Sequence, residues 1–223
     1  MRTSTRIQIA VVVVLLIVLG AVILWMVKPF QNEAAPSPSA SGGPVVSSVA
    51  ENSHRIGEAD ENAVVLTEFL DFECEACAAV HPYVEDLRAE YGGKVQFVLR
   101  YFPLPGHPNS GPAALAAEAS AQQGKLEEMY NKLLDSQEEW SHSDESRANV
   151  FRGYAEELGF DMAAYDAAIA DPATEDRVRY DFDAAVELGL QGTPSIFVDD
   201  RLIRLTSLDD IRDAIDAALK ARA

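Results

Sequence analysis

The chain has 223 residues, with 18 Lys plus Arg against 36 Asp plus Glu, a formal net charge of −18 and a pI of about 4.5. So acidic a surface repels nucleic-acid phosphates and anionic lipid headgroups at close range, which leaves proteins rather than nucleic acids as the expected partners.

Composition changes sharply along the chain, and three zones read separately. Residues 1–8 carry Arg2 and Arg6; Ile9 to Val27 then run for 19 positions without a charged side chain before Lys28. At about 1.5 Å per residue, a helix of that length just spans a hydrocarbon layer of about 30 Å. A cleavable secretion signal is the competing reading. Its apolar core usually runs only about 7 to 15 residues, and Lys28-Pro29-Phe30-Gln31-Asn32 holds no small-residue cleavage motif. Trp25 fits an interfacial position. The positive charge ahead of the run predicts a short cytoplasmic amino terminus (1–8), a transmembrane anchor (9–27) and an extracytoplasmic body, a single-pass protein of the cell membrane. Residues 28–57, richest in Ala, Pro, Ser and Gly between Ala34 and Pro44, offer too little apolar surface to offset the entropy of ordering them and read as a flexible tether.

Residues 58–223 suffice for one domain with a real core. Ala63 to Leu70 is a nearly continuous apolar run of strand length, the signature of a buried central strand. After Asp71-Phe72-Glu73 comes Cys74, and then Val80, Tyr83, Val84, Leu87 and Tyr91 recur at helical spacing until Gly92-Gly93. Pro82 falls inside that helix and is expected to kink it. Val95 to Tyr101 predicts a second strand, parallel to the first in a βαβ unit. Phe102 to Pro112 is an irregular crossing. An Ala-rich helical insert of about 113–190 follows, with helices near 113–123, 125–135, 144–158, 162–170 and 174–188. Ser195 to Val198 and Leu202 to Leu205 read as a hairpin turning at Asp199-Asp200, and a last helix opens at Ser207 with Ile211, Ile215 and Leu219 on its packing face.

The chemistry concentrates at Cys74 and Cys77, the chain's two cysteines. A loop that small does little for stability, so the pair reads as reactive, with helix-start amides favouring a thiolate at Cys74 and Cys77 placed to resolve a mixed disulfide. Half of a zinc site including His81, or two inert core thiols, are the alternatives. Against the first, no further cysteine exists and His54, His107 and His142 lie in unrelated segments; against the second, Asp71, Glu73 and Glu75 make the surroundings wet. Glu68, in the buried strand, either points to the surface or accepts the proton of Cys77, and periodicity alone weighs the two equally. Thr193-Pro194 precedes the third strand as an edge device or as a cis bond set against the disulfide. His107 reads first as a polar surface residue. Trp140, Phe102 and Leu104 either line an apolar surface for unfolded substrates or, more commonly for such side chains, pack in the core.

Phe72-Glu73-Cys74-Glu75-Ala76-Cys77, Phe102-Pro103-Leu104 leading to His107-Pro108, and Gly192-Thr193-Pro194-Ser195-Ile196-Phe197-Val198, in this order around a helical insert, resemble the DsbA-like branch of the thioredoxin superfamily. The resemblance implies an α/β, thioredoxin-like fold with a helical insertion, here preceded by the single transmembrane helix. It implies a thiol-disulfide oxidoreductase without a cofactor or metal, Cys74 as the exposed attacking cysteine and Cys77 as its buried partner. Glu68 then matches the superfamily's buried acid, which raises the proton-acceptor reading. Thr193 and Pro194 match the substrate-binding cis-proline segment, and Pro82 matches the proline of the active-site helix. Exported proteins with free thiols are the implied substrates, and a membrane quinone-linked protein the implied redox partner. A monomer is expected, because no segment supplies a dimerisation domain; this favours an oxidase over an isomerase. A reductase using the same pair, and a non-catalytic binding or chaperone module on the same fold, remain the alternatives. Glu75-Ala76 replaces the Pro-His of the family's strongest oxidases, so like charge from Asp71, Glu73 and Glu75 is expected to hold the Cys74 pKa above theirs.

Overall fold

Two apolar strands side by side organise residues 47–223, which the computed structural model describes. In chain order the elements are β1 (His54–Ile56), β2 (Val64–Leu70), α1 (Glu75–Tyr91), a one-turn 3-10 helix (Gly92–Lys94) and β3 (Val95–Tyr101). Six helices follow: α2 (Ser110–Ala121), α3 (Leu126–Asp135), α4 (Gln137–Trp140), α5 (Ala148–Glu157), α6 (Met162–Ala170) and α7 (Pro172–Glu187). The chain closes with β4 (Ser195–Val198), β5 (Arg201–Leu202) and α8 (Asp209–Arg222).

The sheet order is β1-β3-β2-β4-β5. Its centre, β2, pairs in parallel with β3, Val64 opposite Val95 through Leu70 opposite Tyr101, and antiparallel with β4, Leu66 opposite Val198 through Phe69 opposite Ser195. A strand paired on both edges and covered on both faces has no solvated side, hence its unbroken apolar run. Side chains alternate across the sheet. Leu66 and Leu70 join Val84 and Leu87 of α1 and Ile211 and Ile215 of α8 in the main core, while Phe69 and Phe197 form a second cluster with Phe102, Ala185 and Leu190. Glu68 therefore shares the α1 face with Leu66 and Leu70.

The helical insert lies where its composition places it, between β3 and β4. Its first helix starts at Ser110 rather than near 113, and the short α4 was not foreseen. Trp140 is fully buried, donates from Nε1 to Leu133 O at 3.1 Å and stands edge-on to Phe151; Phe102 is also in the core. Helix α1 runs unbroken through Pro82. The closing hairpin is shorter than expected, because β5 holds two residues. Its turn residues Asp199 and Asp200 take φ of 49° and 61°, the left-handed pair of a two-residue hairpin loop.

The membrane-spanning part of the expected architecture is corrected. Among the described residues no helix is long and apolar enough to cross a membrane, and the run 9–27 to which the anchor was assigned lies outside them. The fold is therefore α/β with a helical insertion and no transmembrane helix in its description. The membrane anchoring, the single-pass localisation and the membrane-bound redox partner that depended on it are withdrawn with it. The compact unit already includes residues 47–57, upstream of the expected start at 58. Ser47, Ser48 and β1 all fall in the stretch read as tether. Ser47 Oγ, Ser48 N and Ser48 Oγ donate to Asp200 Oδ1 at 2.9, 2.7 and 2.7 Å, and Arg100 donates to the Ser48 carbonyl at 3.3 Å. Polar contacts hold this segment, and an apolar-content reading does not register them.

Arg100, on β3, is itself buried. Its Nε donates to Asp181 Oδ1 at 2.7 Å, and Asp181 Oδ2 accepts from Tyr101 N at 3.2 Å and pairs with Arg177 at 2.8 Å. This joins α7 of the insert to the sheet. Asp181→Ala strands a guanidinium in the core and is expected to cost about 3 to 5 kcal/mol in urea unfolding; a loss below about 1 kcal/mol contradicts the assignment.

Candidate active site

Cys74 is the N-cap of α1, with extended backbone (φ −75°, ψ 120°) and no side-chain cap of its own. Helix starts leave amides without intrahelical partners and carry the positive end of the peptide dipoles. The sulfur takes up that position. The amides of Ala76 and Cys77 both act to lower its pKa, but the largest single cause is the hydrogen bond from the Cys77 side chain. Partial burial opposes them, and the net result is a pKa of about 5. Of the two free thiols, Cys74 is 8% exposed and Cys77 only 1%.

Cys77 lies one turn into the helix, and its thiol is pushed well upward, first by burial, then by the hydrogen bond it gives to Cys74, then by Glu68. Glu68 is raised to about 8, first by burial, then by the charges of Glu85 and Cys74. The acid thus faces α1 and stays protonated at neutral pH, which removes the surface-pointing reading.

Thr193-Pro194, at the start of β4, is a cis peptide bond. In the thiol form Cys74 Sγ donates to the Thr193 carbonyl at 3.4 Å. The Thr193 hydroxyl is buried with no other hydrogen-bond partner and is among the groups that lower the Cys74 pKa. The loop before β4 and the N-terminus of α1 therefore meet at one sulfur.

The carboxylates expected to oppose the thiolate are each engaged elsewhere. Glu75 pairs with His142 at 2.9 Å. Buried Glu73 accepts from Asn109 N at 2.6 Å and His142 N at 3.2 Å. Asp71 accepts from Glu73 N and Leu104 N, both at 2.8 Å, and lies 2.6 Å from His107 Nδ1. None of the three is a leading influence on Cys74. His107, read as a surface residue, is thus tied to the strand-to-helix loop; burial alone would lower its pKa, but the Asp71 hydrogen bond and charge outweigh this and raise it. Sequence reasoning also passed over Gln137, buried on α4, whose Nε2 donates to the carbonyls of Phe72 and Cys74 at 2.7 and 2.9 Å. The one signal for these bolts was Asp71 and Glu73 preceding the helix, with free amides in the proline-rich crossing. His81 turns to Tyr130 rather than to the cysteines, and among the described residues no group of three His, Cys, Asp or Glu is placed to hold a metal.

A family model, Thioredoxin_4, described as thioredoxin, matches residues 49–217. The chain belongs to the thioredoxin family. Its fold is the DsbA-like form of the thioredoxin superfamily, the thiol-disulfide oxidoreductase fold. A thioredoxin-like oxidoreductase from Silicibacter pomeroyi is 27% identical with a TM-score of 0.65, covering 80% of this chain and 99% of that one. BdbD from Bacillus subtilis, at 20% identity and a TM-score of 0.63 over 74% of this chain and 91% of that one, shares the fold. Among curated proteins, the Na(+)/H(+) antiporter NhaA of Herminiimonas arsenicoxydans is 37% identical over 65% of this chain but only 22% of its own length. NhaA 3 of Salinispora tropica is 38% identical over 63% of this chain and 21% of its own. The chain thus spans about a fifth of these relatives, and the antiporter name belongs to those longer proteins.

The Cys77 thiol, as the leading influence on Cys74, is open to a direct test. Cys77→Ala is expected to move the Cys74 pKa upward toward the ordinary thiol range, and Cys77→Ser, which keeps a donor, to recover much of the depression. The pH profile of Cys74 alkylation in each variant reads this out; equal profiles for wild type and Cys77→Ala contradict it.

Proposed function

We propose that this domain is a thiol-disulfide oxidoreductase that exchanges disulfides with polypeptide thiols through Cys74 and Cys77, acting as an oxidase. The observation that carries the reading is the placement of Cys74 at the N-cap of α1, with Cys77 one turn on and the Thr193 segment against its sulfur, an arrangement that depresses its pKa to about 5. Thiol-disulfide exchange runs through thiolates, and a low-pKa sulfur leaves readily. Stabilising the Cys74 thiolate also stabilises the dithiol relative to the disulfide, which makes the disulfide an oxidant. The value lies between the roughly 7 of thioredoxin and the roughly 3.5 of DsbA.

In the oxidising direction a substrate thiolate attacks Cys74 Sγ, the Cys74–Cys77 bond breaks, and the electron pair leaves on Cys77. Glu68, protonated at neutral pH, supplies the proton that the buried Cys77 sulfur needs. A second substrate thiolate then attacks the substrate's own sulfur, and Cys74 departs as a thiolate. Thr193 and Pro194 stand where a substrate strand passes the sulfur, with the Thr193 backbone as its pairing edge. Each of these roles is part of the proposal and is supported by the shared location of Cys74, Cys77, Glu68 and Thr193.

Linkage fixes the pH behaviour. A folded pKa depressed below its unfolded value stabilises the folded dithiol, fully above the ordinary thiol pKa of about 9, and the effect is lost as pH falls through about 5. The dithiol form should therefore melt above the disulfide form at pH 7, with the gap closing toward pH 5; a disulfide form that is the more stable at pH 7 contradicts the oxidase direction. Equilibration with glutathione is expected to give a potential between about −270 and about −120 mV. Cys74→Ser is expected to abolish both insulin reduction and refolding of reduced ribonuclease, and retention of either sinks the mechanism.

A further inference from the structure

Glu68 is buried, yet the proposed cycle needs it to lose and regain a proton on each turnover. The described structure offers a route. Glu68 and the Tyr130 side chain line a cavity of about 10 Å³, together with Leu66, Val84, Arg88 and Leu99. That volume is about the least that admits one water. Beyond it, the Tyr130 hydroxyl lies 3.1 Å from His81 Nδ1, and the two rings stand edge-to-face at 4.9 Å. His81 Nε2 is 3.5 Å from Asp135 Oδ1, whose side chain is 70% exposed. His81 and Asp135 line a groove of about 610 Å³ along α1, shared with Glu75, Glu138 and His142.

We propose that Tyr130 and His81 form a proton relay between the Glu68–Cys77 pair and this groove, a role that rests on the oxidoreductase reading above. Aspartate can only accept, so with the His81 proton on Nε2 toward Asp135, Nδ1 is free to accept from the Tyr130 hydroxyl, and the relay takes this tautomer in the reduced protein. This tautomer is set for outward transfer. When the disulfide re-forms, Glu68 gives up its own proton outward and the emptied carboxylate takes the proton of Cys77 S–H. The Cys77 electron pair bonds to Cys74 sulfur, and the group attached to Cys74 leaves as a thiolate. The outgoing proton passes from Glu68 across the cavity to the Tyr130 oxygen, Tyr130 passes its own to Nδ1, and Nε2 releases one to the groove. The ring is left as the Nδ1–H tautomer, which is set for inward transfer. Inward transfer is what the next half-reaction requires, when Cys77 leaves as a thiolate and takes the Glu68 proton. Alternate half-reactions thus reset the ring without a flip.

The charged surroundings suit a neutral relay. Burial is the largest influence on His81 and lowers its pKa, opposed by Glu85 and Asp135 and assisted by Arg88. Glu68 faces Cys74, Cys77, Glu85 and Tyr130. Tyr130 is itself pushed well above the ordinary tyrosine range, by burial first and Glu68 next, so it passes protons as a hydroxyl and does not ionise.

Tyr130→Phe keeps the ring and removes the relay oxygen; His81→Ala removes the imidazole. The two rates to follow are attack of Cys74 on oxidised glutathione and the subsequent closure of the Cys74–Cys77 bond, across pH and in deuterated water. Closure at neutral pH is expected to slow at least about tenfold in both variants, with attack unchanged, since positioned proton transfer contributes on the order of 10²-fold or more. Added imidazole is expected to restore closure in His81→Ala, and the solvent isotope effect on closure to rise in Tyr130→Phe. Closure at the wild-type rate in Tyr130→Phe overturns the relay, and so does equal slowing of both steps, which marks a packing defect. Failure of the wild type to form the mixed disulfide at all would instead remove the oxidoreductase reading.

Discussion

One sulfur at the start of one helix bears the weight of this structure. The amides that open α1 have no carbonyl within the helix to receive them, and Cys74, as the N-cap, presents an atom that becomes anionic to meet them. A serine or aspartate cap would satisfy the same amides as well or better for stability. A cysteine there, with a second thiol one turn away, meets the helix-capping requirement with a sulfur whose pKa is lowered to about 5.

The rest of the fold keeps the two sulfurs unequal. The central strand places Glu68 on the α1 face between Leu66 and Leu70, where burial raises its pKa to about 8 and, with it, that of Cys77. Cys74 escapes the same fate because the Cys77 thiol donates to it, helped by the Thr193 segment and the helix amides. Around this core the insert supplies bolts more than shape. Gln137 holds the carbonyls of Phe72 and Cys74, while Asp71 and Glu73 accept from amides of the proline-rich crossing and the insert. Carboxylates that would repel a thiolate if left free are thereby occupied, and local acidity does not translate into a raised Cys74 pKa.

How much of this could be read in advance follows from range. The strands at 63–70 and 95–101, the helix behind Cys74 and the run of insert helices are legible because apolar periodicity is a local signal. That Cys74 opens a helix with Cys77 one turn into it is legible from spacing and context. The side-chain assignments that depend on tertiary pairing were not: Glu68 was undecided on periodicity, His107 was placed at the surface, His81 entered only as a disfavoured zinc ligand, and Gln137 and Tyr130 had no role. The hydrogen-bond partners of His107, His81 and Tyr130 lie 30 or more residues away, and those of Gln137 more than 60. Ser47 and Ser48 were given to a tether because composition counts apolar area and does not see Asp200 waiting across the sheet.

The account stands on Cys74 being ionised under conditions where an ordinary thiol is not. Ultraviolet titration of thiolate absorbance in the reduced wild-type domain measures this without a substrate, a partner or a substitution. A single sulfur titrating near pH 5, with the second remaining protonated beyond the ordinary thiol range, is the predicted result. Two sulfurs titrating together at about 8.5 to 9 would contradict it.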